Sequence, residues 1–337
     1  MDKVFNFTKC KIDRISAYGG SDQKRSIIID EKKYMLKFSD RVPEEKRNDL
    51  NSSYSNSYAS EYIGCHIIET IGLDVQHTIL GTYERYSSDG ILQEYPVVAC
   101  ENFLQENERL IEFKIIEAAL LDGRPPKVPS LDRLYMIFGG ENDYFSREFA
   151  QKAKEHYFDM FVIDSLLGNF DRHGNNWGYI GNAQTNEIIR IAPIYDCGST
   201  LYPQIADDVL EAILNDPVEI TKRIEQFPKP ALTMKKNGEK LSYVTFINSM
   251  ENEDLNEAIK RIFPKIDMSK ISQVIDETPM VSDIRKTFLK SMLHERYERI
   301  LVPAYEKIIG FEKASIQCSE PVADYCVNHN LRFHRHR

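Results

Sequence analysis

The chain has 337 residues, of which 42% are hydrophobic and 28% charged, a globular composition long enough for two compact lobes with separate cores. A formal net charge of −9 argues against general nucleic-acid binding, which needs a basic footprint. No apolar run approaches the ~20 residues that span a bilayer, so no integral membrane association is expected. The start, from Met1 to Lys9, lacks the apolar core of a secretory signal, and the six cysteines form no metal-type pair. A cytoplasmic location with reduced thiols is therefore the default, and export without a classical signal is the alternative.

Lys11–Ser16 and Arg25–Ile29 read as strands joined by a link that contains Gly19, Gly20, Ser21 and Lys24. Adjacent glycines let backbone amides approach a phosphate, with Ser21 and Lys24 as added donors. A Gly-Gly pair between strands is also an ordinary hairpin turn. After a turn at Asp30–Lys32, the strand Tyr34–Phe38 carries Lys37 within an apolar run. A lysine there is either at a solvated edge or a buried cation with a partner.

From about Ser53 to Ile71, Ala59, Ile63, Ile67 and Ile71 recur at helical spacing, with Gly72 as the stop. Glu61 on this helix is the chosen partner of Lys37, and Glu69 the fallback. A glycine loop, a strand lysine and a helical glutamate, in that order, match the small lobe of a kinase, where the lysine neutralises nucleotide phosphates. Strands at Thr78–Tyr83 and Tyr95–Ala99 follow, split by a turn at 87–90. Backbone groups at 99–101, ending in Glu101, are placed to meet an adenine edge as the chain crosses into a second lobe.

In the second lobe, Glu106–Leu121 reads as a helix and residues 124–132 as a Pro-rich connector. A long helix from Ser146 to Leu167 delivers the chain into Gly-Asn-Phe-Asp-Arg-His-Gly-Asn-Asn-Trp-Gly at 168–178. On that helix His156 and Asp159 are expected to be solvated, and Asp164 to bond the loop backbone. Trp177–Ile180 and Ile188–Ile194 look like a hairpin that brings Asp171, Asn176 and Asp196 to one end.

Phosphoryl transfer needs such a set. Asp171 would orient the attacking hydroxyl, while Asn176 and Asp196 would hold Mg2+ bridging the phosphates of ATP. Turn-forming Asp, Asn and Gly cluster in ordinary loops as well, but two acidic sites in order across one hairpin are far less common. His173 has three readings: a metal ligand, a general base, or a ring that bonds the loop. With no second His or Cys at ligand spacing the third is preferred. Helices are expected at Ile205–Leu214, Pro217–Gln226, Leu255–Phe263 and Ser282–Tyr305. Lys235–Gly238 reads as a solvated turn. Residues 311–337 lose periodicity and read as a mobile tail, whose Cys318, Cys326, His329 and His334 fit no usual zinc spacing.

Asn-Phe-Asp-Arg-His-Gly-Asn-Asn followed by Ile-Tyr-Asp-Cys-Gly-Ser resembles the HipA-like serine/threonine kinases. The resemblance implies an α+β, bilobal protein-kinase-like fold, with residues 1–103 as a β-rich lobe carrying one helix and 104–310 as a mainly helical lobe. It implies Asp171 as catalytic base, Asn176 and Asp196 as magnesium ligands, ATP as cosubstrate and a protein Ser or Thr as acceptor. The Tyr-Gly-Gly-Ser loop and small size are similar to cell-translocating members, which implies autophosphorylation, at Ser16, Ser21 or Ser199, and a pro-inflammatory role in host cells. The phosphate loop is longer than the usual family form, and an antitoxin partner is not supported. The rivals are a phosphoinositide kinase, which would want a basic membrane-facing patch, and a nucleotide-binding effector without turnover.

Overall fold

The computed structural model describes residues 4–13, 24–39, 56–87, 89–121, 129–139, 142–236 and 239–319. The smaller lobe is a six-stranded sheet with strand order β1-β5-β6-β4-β3-β2, comprising β1 (Phe5–Asn6), β2 (Lys11–Ile12), β3 (Lys24–Ile29), β4 (Lys32–Phe38), β5 (Thr78–Tyr86) and β6 (Leu92–Glu101). All its pairings are antiparallel except β1 with β5. Alternation along β4 buries Tyr34, Leu36 and Phe38 on one face, where they pack with Phe7, Ile27 and Val97. Lys37 therefore points to the opposite face.

That opposite face meets α1 (Ser57–Ile71), which ends at Gly72 in the left-handed region, φ 80°. The helix buries Ile63, Ile67, Ile68 and Ile71 in a core shared with the larger lobe. It starts four residues later than its periodicity suggests, after Asn56, while Ser52 and Ser53 lie outside the described residues.

The larger lobe is built on α4 (Arg147–Leu167), whose Ser146 side chain accepts from the Phe149 N–H. Phe158, Phe161, Val162, Ile163, Leu166 and Leu167 are all buried, each contributing roughly 1.5–3 kcal/mol on transfer from water. Around α4 lie α2 (Phe113–Leu120), α3 (Leu131–Phe138), α5 (Leu210–Leu214), α6 (Pro217–Glu225), α7 (Tyr243–Ser249), α8 (Glu253–Ile262), α9 (Met268–Glu277), α10 (Asp283–Arg296) and α11 (Val302–Ser319). A π-helical turn at Tyr297–Leu301 links the last two, so the helix expected over Ser282–Tyr305 is interrupted and then runs on past residue 311.

Two sequence expectations are corrected. Glu106–Leu121 is not one helix: β7 (Glu108–Glu112) pairs with β8 (Gly178–Asn182), which pairs with β9 (Ile188–Ile191), and only then does α2 begin. Ladder bonds to β8 outweigh the local helical pattern. Helices α3, α7 and α9 were not expected from the sequence, although Ile271 and Ile275 of α9 and Tyr243, Phe246 and Ile247 of α7 are buried at helical spacing. His156 and Asp159 are partly buried rather than solvated: Asp159 accepts from Arg261 Nη2 at 2.7 Å, and burial with nearby Arg172 pushes the His156 pKa down to about 4.

The lobes are tied through the α1–β5 link and the segment before Asp196. Gln76 N–H donates to Ile194 O at 2.8 Å, and Ile194 N–H donates to Asp74 O at 2.9 Å. At the other end of α1, Tyr58 Oη donates to Met280 O at 3.0 Å.

Candidate active site

Lys37 is the penultimate residue of β4, opposite Val98 on β6 and opposite Lys24 on β3. Its Nζ lies 2.9 Å from Glu61 Oε2 and 2.8 Å from Asp196 Oδ1. The buried-cation alternative thus describes Lys37, and Glu61, fully buried, is its helical partner. Glu69 instead faces solvent and pairs with His66. Burial lowers the Lys37 pKa, but Asp196 and Glu61 more than offset it, leaving the ammonium well above the ordinary lysine range. Burial likewise raises Asp196, and Lys37 outweighs it, so the carboxyl stands below its usual value.

Gly198 and Gly64 permit this closeness. A Cβ at Gly198 would lie 3.1 Å from Glu61 Oε2, and one at Gly64 would lie 3.0 Å from Cys197 Cβ and 3.1 Å from Thr200 Oγ1. Helix α1 therefore rests directly on the segment that follows Asp196. Asp196 itself has φ 59°, a left-handed conformation just beyond the isolated bridge between Ile194 and Val75, and its carboxylate meets Lys37.

The loop carrying Asp171 hangs from the C-terminus of α4, where Gly168 is left-handed at φ 69°. Asn169 Oδ1 accepts from the Asp171 N–H at 3.0 Å, and Tyr243 Oη donates to Asn169 O at 2.6 Å. Asn176 Nδ2 donates to Asp171 O at 2.8 Å, which leaves its Oδ1 without a hydrogen bond among the described residues. Asp171 is half-exposed, with Oδ1 3.7 Å from His173 Nε2. His173 Nδ1 accepts from the Asn175 N–H at 3.3 Å, so the ring bonds its own loop. Among the described residues no group of three His, Cys, Asp or Glu side chains gathers as a metal site.

Sequence reasoning missed Arg172. Its guanidinium, 4% exposed, spans the Asp164 carboxylate with Nε 2.9 Å from Oδ2 and Nη2 3.1 Å from Oδ1. Nη1 donates to Asn176 O at 2.8 Å and also to Tyr195 O. One side chain thereby joins α4, the Asp171 loop and the approach to Asp196. Asp164 supports the loop through Arg172, through Asn169 Nδ2 at 2.9 Å, and through its own carbonyl, which accepts from the backbone N–H groups of Gly168 and Asn169. A buried aspartate on an otherwise apolar helical face was the available signal, because it demands a cation.

Lys24 shares the Lys37 face, and its charge reaches Asp196. Gly19, Gly20, Ser21 and Ser16 lie outside the described residues, as do the side chains of Cys318, Cys326, His329 and His334. The expectation for Glu101 is corrected. Its N–H donates to His77 O and its carbonyl accepts from Gln76 Nε2, both at 2.9 Å, while its carboxylate pairs with Lys32 at 2.9 Å. The first backbone groups beyond it without a hydrogen bond among the described residues are the Asn102 carbonyl and the Phe103 N–H.

A two-lobed fold with a lysine–glutamate pair set over an aspartate loop defines the class: a protein kinase. The chain belongs to the HipA-like C-terminal domain family, whose model matches residues 16–270. It is 38% identical over 309 residues to the serine/threonine-protein kinase CtkA of Helicobacter pylori strain J99, covering 91% of this chain and 89% of that protein. The crystal structure of the Helicobacter pylori proinflammatory kinase CtkA matches with a TM-score of 0.80 and 35% identity, covering 92% of this chain and 99% of that one. No helix among the described residues is long and apolar enough to cross a membrane.

Proposed function

We propose that the chain transfers the γ-phosphoryl group of ATP to serine or threonine hydroxyls of proteins, itself included. The observation that carries this reading is the bridge made by Lys37 Nζ between Glu61 and Asp196, at 2.9 and 2.8 Å. An ammonium held by a buried carboxylate keeps its charge and position, ready to be shared with nucleotide phosphates. Lys24 and the glycine loop over 19–21 add donors to the same anion. The Asn102 carbonyl and Phe103 N–H meet the adenine edge in place of Glu101.

Asp171 accepts the proton of the acceptor hydroxyl as its oxygen bonds to the γ-phosphorus and the bond to the departing ADP oxygen breaks. Its exposure leaves it open to a protein substrate. Asn176 Oδ1 and the Asp196 carboxylate are hard oxygen donors suited to Mg2+. When bound, the metal supplies charge neutralisation to the phosphates. His173 positions the loop rather than the proton. Autophosphorylation at Ser16, Ser21 or Ser199 and a pro-inflammatory role belong to the same reading, by likeness to the family relative.

The test is transfer of labelled phosphate from ATP with magnesium, in wild type and Asp171→Ala. The expected result is label on Ser or Thr in wild type, cut by about 10²-fold or more in the variant while ATP binding persists. ATP binding without transfer in either protein would overturn the reading in favour of an inactive effector.

A further inference from the structure

An acceptor hydroxyl that reaches Asp171 brings its neighbouring residues over whatever flanks the loop, since an extended chain advances only ~3.3 Å per residue. Phe170, immediately before Asp171, packs against Phe227 with ring centroids 5.5 Å apart and planes at 36°. Phe227 is 45% exposed, although a ring of that size is normally covered. The contact is held in place from below, because Pro228 Cγ lies 3.0 Å from where a Cβ of Gly168 would stand. Burial alternates along Phe227, Pro228, Lys229 and Pro230, exposed and buried in turn, which puts Phe227 and Lys229 on the same open side.

Lys229 acts electrostatically on Lys240, which is half-buried and whose pKa is lowered by burial and by that neighbour. Among the described residues neither lysine has a carboxylate partner, in a chain of formal charge −9. Two ammonium groups within electrostatic reach of each other, without a carboxylate partner among the described residues and close to the exposed Phe227 ring, have no evident use in the fold.

We propose that Phe170 and Phe227 form the subsite for an apolar residue next to the acceptor, and that Lys229 and Lys240 read an acidic residue beyond it. The occupant is an extended segment of the substrate protein. This specificity rests on the kinase reading above, because the register is set by a hydroxyl at Asp171. A substrate segment of the pattern acidic, apolar and Ser or Thr, within a few residues, supplies both halves: apolar area for the rings and a carboxylate for the ammonium pair.

The experiment is steady-state transfer to a Ser-centred peptide library in which flanking positions are varied one at a time, with wild type, Phe227→Ala, Phe227→Leu and Lys229→Glu. Wild type should prefer peptides with an apolar residue within three positions of the acceptor and an acidic residue further out. Phe227→Ala should raise KM for the preferred peptide about tenfold, the scale of one lost apolar side-chain contact, with KM for ATP little changed. Phe227→Leu should restore much of it, and Lys229→Glu should turn the acidic preference into a basic one. Transfer without positional preference, or a preference that survives both Phe227→Ala and Lys229→Glu, would overturn the subsite and leave the kinase intact. Absence of any transfer, autophosphorylation included, would overturn the kinase reading and the subsite with it.

Discussion

Arg172 and Asp164 stand eight residues apart and face each other through two bonds, Nε to Oδ2 at 2.9 Å and Nη2 to Oδ1 at 3.1 Å, both side chains buried. Burial alone would lower the guanidinium pKa, and the Asp164 carboxylate more than restores it, so the arginine stays charged. Its geometry decides where the Asp171 loop sits relative to Asp196, because the same guanidinium holds Asn176 O and Tyr195 O.

Removing one partner leaves the other charged and buried, at a cost of about 3–5 kcal/mol. Arg172→Ala should unfold at clearly lower temperature than wild type and lose transfer. Arg172→Lys should recover part of the stability but little activity, since one ammonium cannot span four acceptors. Thermal denaturation beside a transfer assay separates the two effects.

Lys37→Met removes the cation between Glu61 and Asp196, and transfer should fall by about 10²-fold or more, the scale of one lost electrostatic contact to the phosphoryl group. The pair gives a pH signature too. The raised Lys37 pKa means its contribution is complete below the ordinary lysine value and lost only as pH rises through the higher folded value. The lowered Asp196 pKa means its contribution is complete above the ordinary carboxylate value and lost only as pH falls through the lower folded value. Between roughly pH 5 and 9 the pair does not titrate, so the profile of kcat/KM for wild type should show no inflection from it there.

Gly64→Ala places a Cβ 3.0 Å from Cys197 Cβ and 3.1 Å from Thr200 Oγ1. The helix must retreat by a few tenths of an ångström from the segment after Asp196, and Glu61 moves with it. The expected outcome is a loss of about 1–3 kcal/mol in chemical denaturation and a larger proportional loss in kcat.

His156 is held neutral, with its pKa down at about 4. The unfolded chain binds a proton there at higher pH than the folded one, so stability falls as pH drops from the ordinary histidine value toward 4. The loss is on the order of 3 kcal/mol. His156→Gln should flatten the dependence of urea midpoint on pH in that interval.

The parts of the site that were legible in the chain are those whose chemistry is local. Lys37 and Glu61 were named as a pair because an apolar strand lysine and a helical glutamate each need a reason to be where they are. The hairpin of β8 and β9 was legible through its apolar runs and the turn-rich link between them. Arg172 was passed over because it lies between two more eye-catching residues, and its role depends on burial beneath a helix that sequence cannot place. Strand β7 was hidden for a related reason: Glu108–Glu112 has no strand pattern of its own and becomes one by pairing with β8. The engaged backbone of Glu101 depended on Gln76 and His77, which reach it only in the folded lobe.

By itself, the sequence determined which groups are available for phosphoryl transfer and in what order they come, since side-chain chemistry and turn formation are properties of a few adjacent residues. The tertiary structure decided which of them meet. Lys37 and Asp196 are 159 residues apart in the chain and 2.8 Å apart in space, a closeness produced by the burial of α1 against both lobes and written in no local pattern.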